Sequence, residues 1–198
     1  MKLSINFCLL ALFLICGLSA SAQTPADGKP FTKDGLNFSY PSGWAFNDAS
    51  NSDAQQMTFG RPDSEVQITV FVFRTPLTTP ERLAEAKRVL VDKYIASTTK
   101  SFEQAGARPE SAPASTEIGG VKSEGVKIRA SLDGVPGVAE IHSAVVGQRL
   151  VVLTLLGPDR AVVKAAPAWD MIRNSIKVEE AQPKPQPAAQ PTTTPKPR

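Results

Sequence analysis

Few residues in this chain could carry chemistry. The single histidine, His142, stands two positions after Glu140 in an alternating run, so both side chains share one face of a strand. An imidazole and a carboxylate so placed can share a metal ion or relay a proton, but two ligands are too few for a closed zinc site. A Ser–His–Asp triad has no recognisable anchor either, because the chain lacks a Gly-x-Ser-x-Gly elbow. Both cysteines, Cys8 and Cys16, lie in the first 22 residues, in a segment with the marks of a leader. Gly119, Gly120, Gly134 and Gly147 fall at turn positions, with no phosphate-cradling motif around them. We therefore assign no catalytic residue, no cofactor site and no metal site, and expect a protein that is not an enzyme.

Charge narrows the partners. The whole chain carries +3, but Lys2, Lys184, Lys196 and Arg198 sit in the two terminal segments. Residues 23–180 hold 18 basic against 19 acidic side chains, so the basicity is not in the folded part. Nucleic-acid binding needs a clustered basic face and is not expected. Lys122, Lys127, Arg129 and Arg149 could form a stripe, but Glu124 and Glu140 interleave with them, which reads as a solvated mixed-charge face. Trp44 and Trp169 both sit on apolar stripes and read as core anchors.

The elements that position these residues follow from periodicity. Gly35 to Tyr40 alternates and is a strand; Pro41-Ser42-Gly43 turns it, and Trp44-Ala45-Phe46 opens the next. Gln56 to Gly60 is a short strand turned by Arg61-Pro62-Asp63. In the following strand Val66, Ile68, Val70 and Val72 share one face, while Phe71 and Phe73 lie on the other, so both faces should be covered. Thr78 to Glu81 fits a capping box for a long helix with Pro80 in its first turn. Leu83, Ala86, Leu90, Tyr94 and Thr98 make its apolar stripe, and Gly106 and Pro109 stop it.

Residues 106–116 read as a polar loop. Hairpin signals at Gly119-Gly120, Asp133-Gly134 and Gly147-Gln148 then imply four antiparallel strands near 114–118, 121–132, 137–146 and 149–156. A two-residue turn at Asp133-Gly134 sets Ala139 opposite Ile128, Ile141 opposite Val126, and Glu140 opposite Lys127. The last strand is apolar on both faces and should be central. Asp159 caps a final helix with the stripe Val162, Ala166, Trp169 and Ile172, kinked or restarted at Pro167. The fold class is α+β: a mostly antiparallel β-sheet flanked by a long central helix and a C-terminal helix, an α/β/α sandwich.

The two ends read differently. Residues 1–22 have the layout of a secretory signal peptide: Lys2, an apolar run from Phe7 to Leu18, and Ala20-Ser21-Ala22, with cleavage expected between Ala22 and Gln23. An uncleaved anchor is the competing reading, and the shortness of the run tells against it. Residues 23–30 read as a short linker, 31–178 as the domain and 179–198 as a Pro-rich disordered tail. Removal of the leader takes both cysteines with it, which suits an oxidising compartment. The mature chain would carry no transmembrane span and would be periplasmic or extracellular.

The segment Leu36-Asn37-Phe38-Ser39-Tyr40-Pro41-Ser42-Gly43-Trp44 resembles the opening of the PsbP/Mog-type α/β/α sandwich superfamily, which includes DcrB-like bacterial envelope proteins. The closing Met171-Ile172-Arg173-Asn174-Ser175-Ile176-Lys177 resembles the end of that group's C-terminal helix, and the element order between them matches. The resemblance implies a non-enzymatic binding or assembly module of the cell envelope with a protein or envelope component as partner. It carries over no catalytic residue, because the matching positions are turn and core residues. Loops 47–55 and 106–116 and the sheet rim are the expected contact regions. The alternative is a carrier of a small apolar ligand or lipid, held in a pocket between the sheet and the long helix.

Overall fold

The computed structural model describes residues 27–179. The expected signal peptide, its Ala22–Gln23 cleavage site and the tail from residue 180 lie outside the described residues. Ten strands and three α-helices follow in the order β1 (Gly28–Lys33), β2 (Leu36–Pro41), β3 (Ala45–Asp48), β4 (Ala54–Gly60), β5 (Gln67–Phe73), α1 (Pro80–Ala86), α2 (Lys93–Gln104), β6 (Glu110–Ile118), β7 (Val121–Leu132), β8 (Val135–Val146), β9 (Arg149–Pro158), α3 (Asp159–Ser175) and β10 (Lys177–Val178). A π-helical segment, Lys87–Asp92, joins α1 to α2.

Seven strands form one sheet in the order β3-β4-β5-β9-β8-β7-β6, and three form a small sheet, β1-β2-β10. Every pairing is antiparallel. Strand β9 lies at the centre of the large sheet, with Arg149 to Leu155 all buried, as its unbroken apolar run demands. One face packs on the small sheet and α3, in a core that includes Met57, Phe59, Ile68, Leu153, Trp169 and Ile172. The other packs on α1 and α2 through Ile128, Ile141, Leu150, Ala86 and Val91. The architecture is the expected α+β sandwich.

The Asp133-Gly134 turn fixes the register of the β7–β8 hairpin. Both residues adopt left-handed φ, 51° and 80°, as a two-residue turn matched to strand twist requires. Ile128 faces Ala139, Val126 faces Ile141 and Lys127 faces Glu140. In the Pro41–Trp44 turn the Trp44 N–H donates to the Pro41 carbonyl at 3.0 Å.

Several boundaries differ from the sequence reading. Residues 28–30, expected as linker, belong to β1, whose hairpin to β2 closes through Asp34-Gly35. Glu179 belongs to the domain as well: its N–H donates to the Gly35 carbonyl at 2.8 Å. Residues 110–116, expected as loop, are the start of β6. Pro30 and Pro113 hide both strands from a pattern search, but each lies in an edge strand, where a missing N–H costs no ladder bond.

The helices shift by a residue too. The cap of α1 is Thr79, which accepts from the Arg82 N–H, not Thr78. Helix α3 starts at Asp159 itself, with no side-chain cap. Its buried side chains are Ala165, Ala168, Trp169 and Ile172; Ala166 faces out, and the helix runs on through Pro167. The largest change is in the long helix. Bonding from residue i to i+5 in the π segment adds a residue to one turn and rotates the stripe that follows. Val91, Ile95 and Phe102 therefore face the sheet, and Tyr94 is 41% exposed.

Candidate functional site

His142 lies on β8 facing α3, only 2% exposed. Its Nε2 is 3.7 Å from Glu140 Oε2, and Glu140 Oε1 accepts from the Lys127 ammonium at 2.5 Å. The Glu140 carboxyl is pulled from its ordinary 4.5 to about 2, by the imidazole first and then by Lys127, against the burial that would raise it. Trp169 covers the ring from α3 at 6.1 Å between centroids. Opposite His142 in register is Gly125, and a Cβ there would sit 2.8 Å from His142 Nδ1 and 2.1 Å from the Ile141 carbonyl oxygen. Only a residue without a side chain leaves this imidazole its place.

The structure thus brings together His142 and Glu140, as their spacing predicts, but buries the imidazole against a tryptophan and leaves the carboxylate partly exposed. Among the described residues no group of three His, Cys, Asp or Glu side chains could hold a metal ion. Three of the four residues of the basic stripe are likewise engaged: Lys127 with Glu140, Arg129 with Asp159 at 3.3 Å, and Arg149 with the Asp34 carbonyl at 3.0 Å, while Lys122 lies exposed on β7.

The accessible concavity is elsewhere. A groove of about 730 Å³ runs along the first half of α3. Its apolar wall is Pro41, Trp44, Pro158, Ala161, Ala165 and Pro167, and its rim carries Arg61, Asp63, Glu65, Arg160 and Lys164. Arg61 and Asp63 pair with each other at 2.6 Å. Val135, at the tip of the β7–β8 hairpin and 53% exposed, overhangs one end. Across that tip lies a second hollow of about 390 Å³, walled by Phe102, Leu132 and Leu156, which shares Glu65, Val135 and Pro158 with the first. Loop 61–66, the hairpin tip and the start of α3 therefore form one contoured end of the molecule. Apolar surface framed by charge suits binding.

Solved structures share the fold. The chain aligns with the solution structure of cyanobacterial PsbP (CyanoP) from Synechocystis sp. PCC 6803 at TM-score 0.50 and 15% identity, covering 81% of this chain and 97% of that one. The chain has a PsbP-like fold. A crystal structure from Bacteroides thetaiotaomicron VPI-5482 aligns at TM-score 0.50 and 13% identity over 77% of this chain, which spans about half (49%) of that longer chain. LpqN of Mycobacterium tuberculosis, described as involved in cell envelope biogenesis, aligns at TM-score 0.45 and 12% identity, over 77% of this chain and 86% of that one. No family model matches the chain. No curated protein matches it either.

The concave end lies apart from the expected loop 106–116. Residues 110–116 are edge strand rather than loop, and the concave end is built from residues that sequence reasoning did not nominate: Glu65, Val135, Arg160 and Lys164. One signal was legible, since Leu132 and Val135 place apolar side chains directly beside an exposed hairpin turn. Trp44 is buried as expected, yet one side of it lines the groove. Among the described residues no helix is long and apolar enough to cross a membrane.

Proposed function

We propose that this protein is an exported, non-enzymatic binding module of the cell envelope that engages a protein partner through its concave end. The groove beside Trp44 and α3 carries this reading: it is about 730 Å³, lined by apolar side chains and prolines, and rimmed by Arg160 and Lys164. Prolines and small alanines present a stiff, shallow wall, which suits an extended segment of another chain. The leader-like residues 1–22 support export, with maturation between Ala22 and Gln23. The PsbP-like fold supports a role in binding, and no cofactor enters it.

A photo-crosslinking residue at Val135, in protein whose intact mass starts at Gln23, tests both halves. It should give one discrete adduct in intact cells, while the same residue at exposed Lys100 on α2 gives none. Reversing the rim charge with Arg160→Glu and Lys164→Glu should weaken the adduct several-fold. Equal labelling at Val135 and Lys100, or none at Val135, would refute the assignment.

A further inference from the structure

A second site lies on the opposite face of the large sheet. Beneath the π segment and α2 the sheet holds a cavity of about 230 Å³. Its floor includes Thr69 and Thr154, directly opposite each other on β5 and β9, and Thr58 continues the row on β4. Thr58 and Thr69 share a hydrogen bond at 3.2 Å. Thr154 is only 5% exposed, yet its hydroxyl and the Gln56 amide make no hydrogen bond to any described side chain or backbone group. Both line the cavity. The hydroxyl and the amide thus face the cavity with hydrogen-bonding capacity that no described protein group uses, open to whatever occupies it.

The walls say what that is. Phe71, Tyr94, Leu90 and Val152 supply flat and branched apolar surface. No charged side chain lines the space, so an ion would enter without compensation. Leu90, within the π segment, packs against the sheet-side core, and Tyr94, just after it and 41% exposed, lines the cavity beside it. An apolar cavity of ~150 Å³ takes up benzene, so this one has room for a single ring with one polar substituent.

We infer that the cavity between the π segment and the sheet binds a compact, uncharged, single-ring molecule whose hydrogen-bonding group meets Thr154 and Gln56. The site is separate from the concave end and does not depend on it.

Phenol is the probe, with benzoate as the charged counterpart of similar size, titrated into the full mature chain and followed by backbone amide NMR. Saturable shifts confined to Thr69, Leu90, Tyr94 and Thr154 are expected with phenol and not with benzoate. Thr154→Val, which keeps the shape of the side chain, should weaken phenol about three- to tenfold, the worth of one hydrogen bond. Val152→Phe should fill the space and abolish the shifts while the remaining spectrum stays native. No saturable shift at these residues, equal response to benzoate, or phenol binding unchanged in Thr154→Val would each overturn the inference.

Discussion

The two faces of the β8–β9 pair treat buried polar groups in opposite ways. On the α3 face, His142 lies opposite Leu153 with its ring against Trp169 and its Nδ1 buried without a partner, while its charged neighbours Glu140 and Lys127 pair with each other at partly exposed positions. One residue along, on the other face, Thr154 lies opposite Ile141 beside open space. The magnitudes explain the difference. An unpaired buried charge costs several kcal/mol, so the Glu140 carboxylate is matched by the Lys127 ammonium. A hydroxyl that faces an open cavity keeps access to solvent or ligand and carries little of that cost. The only histidine, the residue most suggestive of chemistry, is therefore the less available of the two polar sites.

The contrast can be broken first at its lid. Trp169→Ala should destabilise the protein by about 3–5 kcal/mol in urea unfolding, the range for a large buried aromatic. A loss below about 1 kcal/mol would mean that the His142 ring is not sealed by packing.

A smaller effect comes from acid. Because the Glu140 carboxyl is held at about 2 in the fold against 4.5 ordinarily, its contribution is complete above about 4.5 and lost as pH falls towards 2. Melting temperature measured from pH 5 to pH 2 should drop more steeply in the native protein than in Glu140→Gln. Parallel curves would show that the carboxylate adds nothing.

The smallest effect belongs to the other face. In the absence of ligand, Thr154→Val should change stability by no more than about 0.5 kcal/mol, because no protein partner is lost. A loss of 2 kcal/mol or more, on the order of a broken buried hydrogen bond, would show that the hydroxyl is structural.

Much of this was legible in the sequence. The register of Lys127 against Glu140 follows from Asp133-Gly134, and the central place of β9 from its unbroken apolar run. The pairing of His142 with Glu140 follows from strand alternation. What escaped has two physical sources. Strands β1 and β6 carry Pro30 and Pro113, which argue against a strand until the strand is known to be an edge. The π segment leaves no mark in a helical periodicity of 3.6, so Leu90 and Tyr94 read as core while the fold turns Tyr94 outward. The concave end assembles from loop 61–66, a hairpin tip and a helix start far apart in the chain, and local patterning carries no information about such convergence.

The small sheet has a consequence for the order in which the protein can form. Strand β2 pairs on one side with β1, its neighbour in the chain, and on the other with β10, where Asn37 meets Lys177 and Leu36 meets Val178. The meander from β6 to β9 closes through successive short turns and can form as soon as it is synthesised. The N-terminal hairpin has no such independence: its far edge is completed by the last two strand residues of the domain. Pairings of such long range also carry the largest entropic cost of closure and form late. The beginning and the end of the domain are thus fastened together through β2.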